Sequence, residues 1–300
     1  PWQLIRSQQE FVAMLKPAAY ESAYVYYGSI SLFTTILHNL FILYHIDMFV
    51  SVYKIDKTSF WIGEMVFLLW NSINDPLFGW LGDKQQLMLS GDQVTSSDKE
   101  SLNISESTGD TTNGRQGASH RLIVSRIKVI KWAGPLMAVS FFNLWINWHS
   151  PLLQFILCLC AYDAFLTLID LQHSALLAEL STSPTDRAAM NGYQSLFSAV
   201  GSVSVFISYA VWDKSDMARF RIYSTVLAVV SSVGVYAVTR HLQKTFTTGI
   251  TAKPQHTPAT SDGQQSRKSF LNFLKRAMKQ RNFVIFIMIN LIQVSSMLCV

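Results

Sequence analysis

Six stretches of roughly 20 predominantly apolar residues recur along the chain, and this recurrence constrains the fold more than any other feature. They run from Tyr24 to Ile46, Phe60 to Leu81, Val129 to Trp148, Leu152 to Leu171, Met190 to Trp212 and Ile222 to Arg240. A seventh begins at Phe283 and reaches the last residue, Val300. A helix needs about 20 apolar residues to cross the roughly 30 Å hydrocarbon core of a bilayer. Inside that core the backbone must satisfy its own polar groups, so only helices and closed barrels can span it. The apolar blocks lack the alternation that a barrel strand requires. The chain is therefore expected to be an all-α, polytopic membrane protein.

Composition excludes the soluble alternatives. Half of the 300 residues are hydrophobic and only 14% are charged, whereas a soluble domain carries about a quarter charged residues. The net charge of +5 is dispersed over a few segments, with no continuous basic face for nucleic acid. Cys158, Cys160 and Cys299 all lie within apolar blocks, with no spacing for a disulfide framework or a structural metal. No cofactor and no metal are expected. The expected partner on this ground is the lipid bilayer.

The distribution of Lys and Arg sets the orientation. With the N-terminus in the cytosol, nineteen of them fall on the cytosolic side and five on the other. Residues 1–20 then form a cytosolic segment and residues 21–244 a six-helix bundle. Within it, the Ser-, Thr-, Asp- and Gly-rich stretch 84–120 is expected to be a disordered cytosolic insertion, because it has little apolar surface to bury. Residues 245–281 form a cytosolic loop and basic helix, and 282–300 a truncated seventh span. The ends at Pro1 and Val300 suggest part of a longer protein, and the plasma membrane is the expected location.

Polar residues at bilayer depth are costly and normally face a cavity or another helix. On span one, Thr34, His38 and His45 share a face. On span two, Glu64, Asn71 and Asp75 lie at i, i+7 and i+11. On span four, Asp163, Thr167, Asp170 and Ser174 do so at i, i+4, i+7 and i+11, and Asn191, Ser195, Ser198 and Ser202 repeat that spacing on span five. Four polar stripes suggest a hydrated path. The competing reading is that hydroxyl and amide groups join membrane helices. Carboxylates make expensive structural bonds, so Glu64, Asp75, Asp163 and Asp170 favour ion coupling. Asp75 and Asp170 in particular are expected to face shared water.

At the end of span two the sequence runs W-N-S-I-N-D-P-L-F-G-W-L-G-D-K, from Trp70 to Lys84. Pro76 removes a backbone donor and loosens the helix. Gly79 and Gly82 permit close helix approach. Asp83 at the membrane exit is expected to pair with Arg187 as a conformational gate, with Lys84 beside it.

This segment resembles the major facilitator superfamily. Gly79, Asp83 and Lys84 match part of the loop-two motif, although its basic end is replaced by the long polar insertion. The run N-D-P-L-F-G-W-L-G-D, together with Tyr44 to Val50 and Ala175 to Arg187, is similar to the glycoside–pentoside–hexuronide cation symporter branch. The resemblance implies two six-helix halves, this chain supplying the first half and the start of the seventh helix, with spans one, two, four and five lining a cavity. It also implies a cation site with acidic positions at Asp75 and Asp170. Another acidic position of that site falls on Asn71. The charges that bind sugar in the branch fall near Ser31 and on Ser195, neither of which is charged. This argues against sodium–sugar symport and leaves proton coupling through Asp75 and Asp170. The implied activity is secondary transport of a small organic, carbohydrate-like solute. The alternative is a transport-inactive scaffold descended from a transporter. No intramembrane enzyme motif occurs in the sequence.

Overall fold

The computed structural model describes residues 17–100, 110–181, 183–214 and 216–247. Side chains are described from Ser22 to Gly82 and from His120 onward within those ranges. The N-terminal residues 1–16, the basic loop and helix after Thr247, and the expected seventh span lie outside the described residues.

The described chain forms long helices. They are α1 (Pro17–Asp47), α2 (Lys57–Glu100), α3 (Asp110–Leu144), α4 (Pro151–Leu180), α5 (Pro184–Val211) and α6 (Ala218–Thr247), with a single π turn, Met48–Val52, closing α1. No strand occurs among the described residues. Four segments are long and apolar enough to cross a membrane by length and composition: Ser22–Val52, Pro151–Leu180, Pro184–Val211 and Ala218–Thr247. Helices α2 and α3 have the required length and pack in the same bundle. They are the more polar pair, since Glu64, Asn71, Asn74 and Asp75 interrupt one apolar block and Lys131 the other.

Helices α2 and α3 are also longer than their apolar blocks. Helical backbone continues through residues 84–100 and resumes at Asp110, which corrects the expectation that all of 84–120 lacks regular structure. Once a turn is nucleated, each added residue contributes one hydrogen bond, and no proline lies between Pro76 and Pro135 to stop propagation. Pro76 itself sits inside α2 without ending it.

Local sequence fixes the helix ends. Pro184 occupies the first turn of α5, and Ser183 Oγ accepts from the Asp186 backbone N–H at 3.1 Å, a side-chain N-cap. The buried Gln154 ties the α3–α4 connection. Its amide donates to the carbonyls of Asn143, Leu144 and Ile146, and its oxygen accepts from Trp148 N–H.

Helix α1 packs most extensively on α5 and next on α6; α3 packs on α4 and α6, and α2 on α4. The order around the bundle is therefore α5, α1, α6, α3, α4, α2, leaving α2 and α5 at its two ends. The arc is joined across its middle by α1 and α4. There the Tyr27 and His173 rings stack with centroids 4.0 Å apart, His173 Nε2 lies 3.0 Å from the Tyr27 carbonyl, and Phe41 stacks on Tyr162 at 4.1 Å. At the end of the bundle near the α5–α6 turn, Trp145, Phe220, Tyr44 and Trp212 pack edge-to-face and tilted, arrangements that aromatic quadrupoles favour.

Candidate functional site

The α2–α4 seam holds most of the polar residues singled out in the sequence. The two helices run parallel. Their register is set by Gly63 against Phe155, where there is no room for a Cβ, and by Asn74 against Asp163. Asn74 is fully buried. Its side-chain amide donates to Asp163 Oδ2 at 2.9 Å and to Thr167 Oγ1 at 3.1 Å. Its own oxygen, and Trp70 Nε1 one turn earlier, are buried without a hydrogen-bond partner among the described residues. Asp75 is close enough for its carboxylate to interact electrostatically with that of Asp163.

Asp75 and Asp170 are both exposed. The α2–α4 register places Asp170 level with Gly79, one turn along from Asp75. Asn71 is half-buried on the same flank of α2. Glu64 is buried at 7% exposure nearer the start of α2. Arg126 pairs with Glu179 and Lys214 with Asp47. Among the described residues no cation is seen paired with Glu64, Asp75, Asp163 or Asp170.

The serine stripe of α5 divides into two parts. Ser198 and Ser202 meet α1: Ser198 Oγ lies 2.9 Å from Thr35 Oγ1, and Asn39 donates to Ser202 Oγ at 2.9 Å. Tyr44 OH and Ser208 Oγ extend the series at 2.8 Å. The helices come close because a Cβ on Gly201 would sit 2.7 Å from the Leu32 carbonyl, and one on Gly28 would sit 2.8 Å from the Tyr193 backbone. Helix joining thus accounts for this part of the stripe. Asn191 and Ser195 are exposed instead, and with Gln194 and Ser198 they line a recess of about 430 Å³. Tyr27 OH donates to Gln194 Oε1 and to the His173 carbonyl, both at 3.3 Å, so the recess floor is anchored to α1 and α4. Ser31 is buried on α1.

The α1 histidines differ. His45 Nδ1 lies 2.8 Å from the Phe41 carbonyl, and its ring stacks on Phe41, so a neighbouring group satisfies it. His38 Nδ1 is buried without a hydrogen-bond partner among the described residues. Thr34 donates back to the carbonyls of Ile30 and Ser31.

At the opposite end of α4, Arg126 of α3 pairs with Glu179 at 2.8 Å and donates to Gln172 Oε1 at 3.1 Å. Its side chain is only 8% exposed. The side chains of Asp83 and Lys84 lie outside the described residues. Arg187 is exposed and donates through Nε to Ser181 Oγ at 3.2 Å. A Cβ on Gly79 would meet nothing within 4 Å among the described residues. A Cβ on Gly82 would lie 4.0 Å from Gln172 Nε2 of α4.

Three groups escaped the sequence reading: Asn74, the Tyr27–His173–Gln194 junction, and the Arg126–Glu179 pair. Asn74 had a legible signal, an amide next to Asp75 and ten residues after Glu64. The other two depend on contacts between residues 53 to 167 positions apart.

Residues 105–300 match the sequence model of the MFS/sugar transport protein family. The chain is 46% identical over 278 residues to Transmembrane protein 180 of Gallus gallus, covering 90% of this chain and 50% of that protein. It is 50% identical over 220 residues to Transmembrane protein 180 of Mus musculus, covering 73% of this chain and 38% of that protein. The chain thus spans about half the length, or less, of these curated relatives.

Proposed function

Since the chain belongs to the MFS/sugar transport protein family, and is an integral multi-pass membrane protein with a transporter-like fold, we propose that it forms one half of a secondary transporter. The transporter moves a small polar, carbohydrate-like solute by alternating access, coupled to a proton at Asp163, Asp75 and Asp170. The N-terminus lies in the cytosol, and the plasma membrane is the site of action.

One observation carries this reading. Asp163 lies in the α2–α4 seam, held by the neutral amide of Asn74, with a second carboxylate beside it and no cation paired to either among the described residues. Uncompensated carboxylates at bilayer depth are expensive. A proton or a bound cation offsets that cost, and binding is then tied to the state of the helices that hold it. The recess at Asn191, Gln194 and Ser195 is lined by uncharged donors and acceptors, a set suited to hydroxyl groups. No enzyme chemistry is invoked.

The test uses the full-length protein in proteoliposomes, screened against neutral polar solutes under an imposed pH gradient. Accumulation that collapses with the gradient supports the reading. Absence of flux for every solute and gradient, with normally folded protein, favours the scaffold alternative.

A further inference from the structure

The outward pair α3 and α6 carries a charge pattern that transport does not use. From His120 to Leu144 on α3, and over the whole of α6, there is no Asp or Glu. Lys128, Lys131, Arg240 and Lys244 all lie toward the end of this pair away from the α5–α6 turn.

The two helices are antiparallel. Gly134 meets Val235 too closely for a Cβ, and Lys131 Nζ lies 4.9 Å from the centre of the Tyr236 ring. This register places Lys128 level with Arg240. Both are exposed, and each ends an exposed apolar stripe. On α3, Lys128 is followed at helical spacing by Trp132, Leu136 and Val139; on α6, Arg240 is preceded by Val233, Val229 and Val226. Arg126 belongs elsewhere, since it pairs with Glu179 on α4.

An apolar double stripe ending in two cations at one level, with no Asp or Glu on either helix among the residues whose side chains are described, has the shape of one kind of molecule. Acyl chains cover the stripes and an anionic headgroup meets the cations. A zwitterionic headgroup offers the same phosphate but no net negative charge to the two cations. We propose that the α3–α6 seam is a binding site for an anionic phospholipid of the leaflet at that end of the bundle. Its phosphate is held between Lys128 and Arg240, and Lys131 is steadied beside it by Tyr236. Each cation near an anionic lipid surface adds to binding, and the dry flank of the helices strengthens the contact.

The experiment is independent of solute flux. Full-length protein in detergent is titrated with phosphatidylserine or phosphatidylcholine and retained lipid is counted by native mass spectrometry. The wild type is expected to keep phosphatidylserine in preference. The double variant Lys128→Gln with Arg240→Gln should lose that preference by roughly tenfold to thirtyfold. Lys214→Gln, at the other end of the bundle, should keep it. Both changed positions are exposed, and a thermal melt confirms that the variant is folded. Equal retention of the two lipids by the wild type overturns the proposal, as does an undiminished preference in the double variant. Displacement of phosphatidylserine by inorganic phosphate at equal concentration overturns it too, because the acyl stripes would then contribute nothing.

Discussion

The side-chain amide of Asn74 on α2 donates to the carboxylate of Asp163 on α4 across 2.9 Å, in a seam where Asn74 has no exposure at all. Two helices are joined by the same atoms that hold the carboxylate, so the contact that closes the seam is also the one on which the proposed coupling would act.

Replacing Asn74 by Ala removes the bonds to both Asp163 and Thr167. Interhelical hydrogen bonds in membranes contribute about 0.6 kcal/mol on average and up to about 1.7. A loss of about 1–2 kcal/mol is expected, read as a lower unfolding midpoint of the full-length protein in detergent. An unchanged midpoint would mean that the seam is held by packing alone.

The α1–α5 contact should respond to bulk more than to lost hydroxyls. Ser198→Ala and Ser202→Ala each remove one interhelical bond and should cost under about 1 kcal/mol. Gly201→Val places a Cβ against the Leu32 carbonyl and should cost more, about 1–3 kcal/mol from overpacking. Membrane abundance and melting of the three variants check the order. Equal effects would contradict the close approach at Gly201.

Arg126 and Glu179 form a nearly buried pair. Arg126→Met alone or Glu179→Met alone leaves one buried charge and should cost about 3–5 kcal/mol. Changing both to Met should restore most of the loss. A double variant as unstable as the singles would mean that the hydrogen bond of Arg126 to Gln172 matters more than the pair.

His120, outside the apolar block of α3, packs edge-on against Phe246 of α6. Burial pushes its pKa below the usual histidine range, partly offset by the Phe246 backbone. The folded state therefore binds its proton less readily than the unfolded chain. Its contribution to stability is present above the ordinary histidine pKa of about 6.5 and falls as pH drops through it. The wild-type melting midpoint should decline between pH 7 and pH 5.5, and His120→Asn should flatten part of that decline. An identical slope in the variant would remove His120 as the cause.

The bundle was legible because the bilayer imposes a length on apolar blocks: α4 and α6 contain the blocks read for them, and α5 ends one residue short of its own. What could not be read was which face of each helix meets which neighbour. Ser195 and Ser198 both border the recess, yet only Ser198 reaches α1, through Thr35. Asp163 and Asp170 lie two turns apart on one stripe, yet only Asp163 meets Asn74. Periodicity fixes a face relative to its own helix axis, while partner choice depends on packing between distant segments. The helical extension beyond Lys84 was missed because composition reports the lack of apolar surface and not the ease of continuing a helix already begun.

The most direct test compares two modes of transport in proteoliposomes carrying full-length wild type or Asp163→Asn. The substitution keeps the shape of the side chain and removes its charge. Gradient-driven accumulation of the solute should be lost, while exchange of solute across the membrane without a gradient persists. Accumulation by Asp163→Asn equal to the wild type would contradict the account, because no ion would then need the carboxylate that α2 and α4 hold between them.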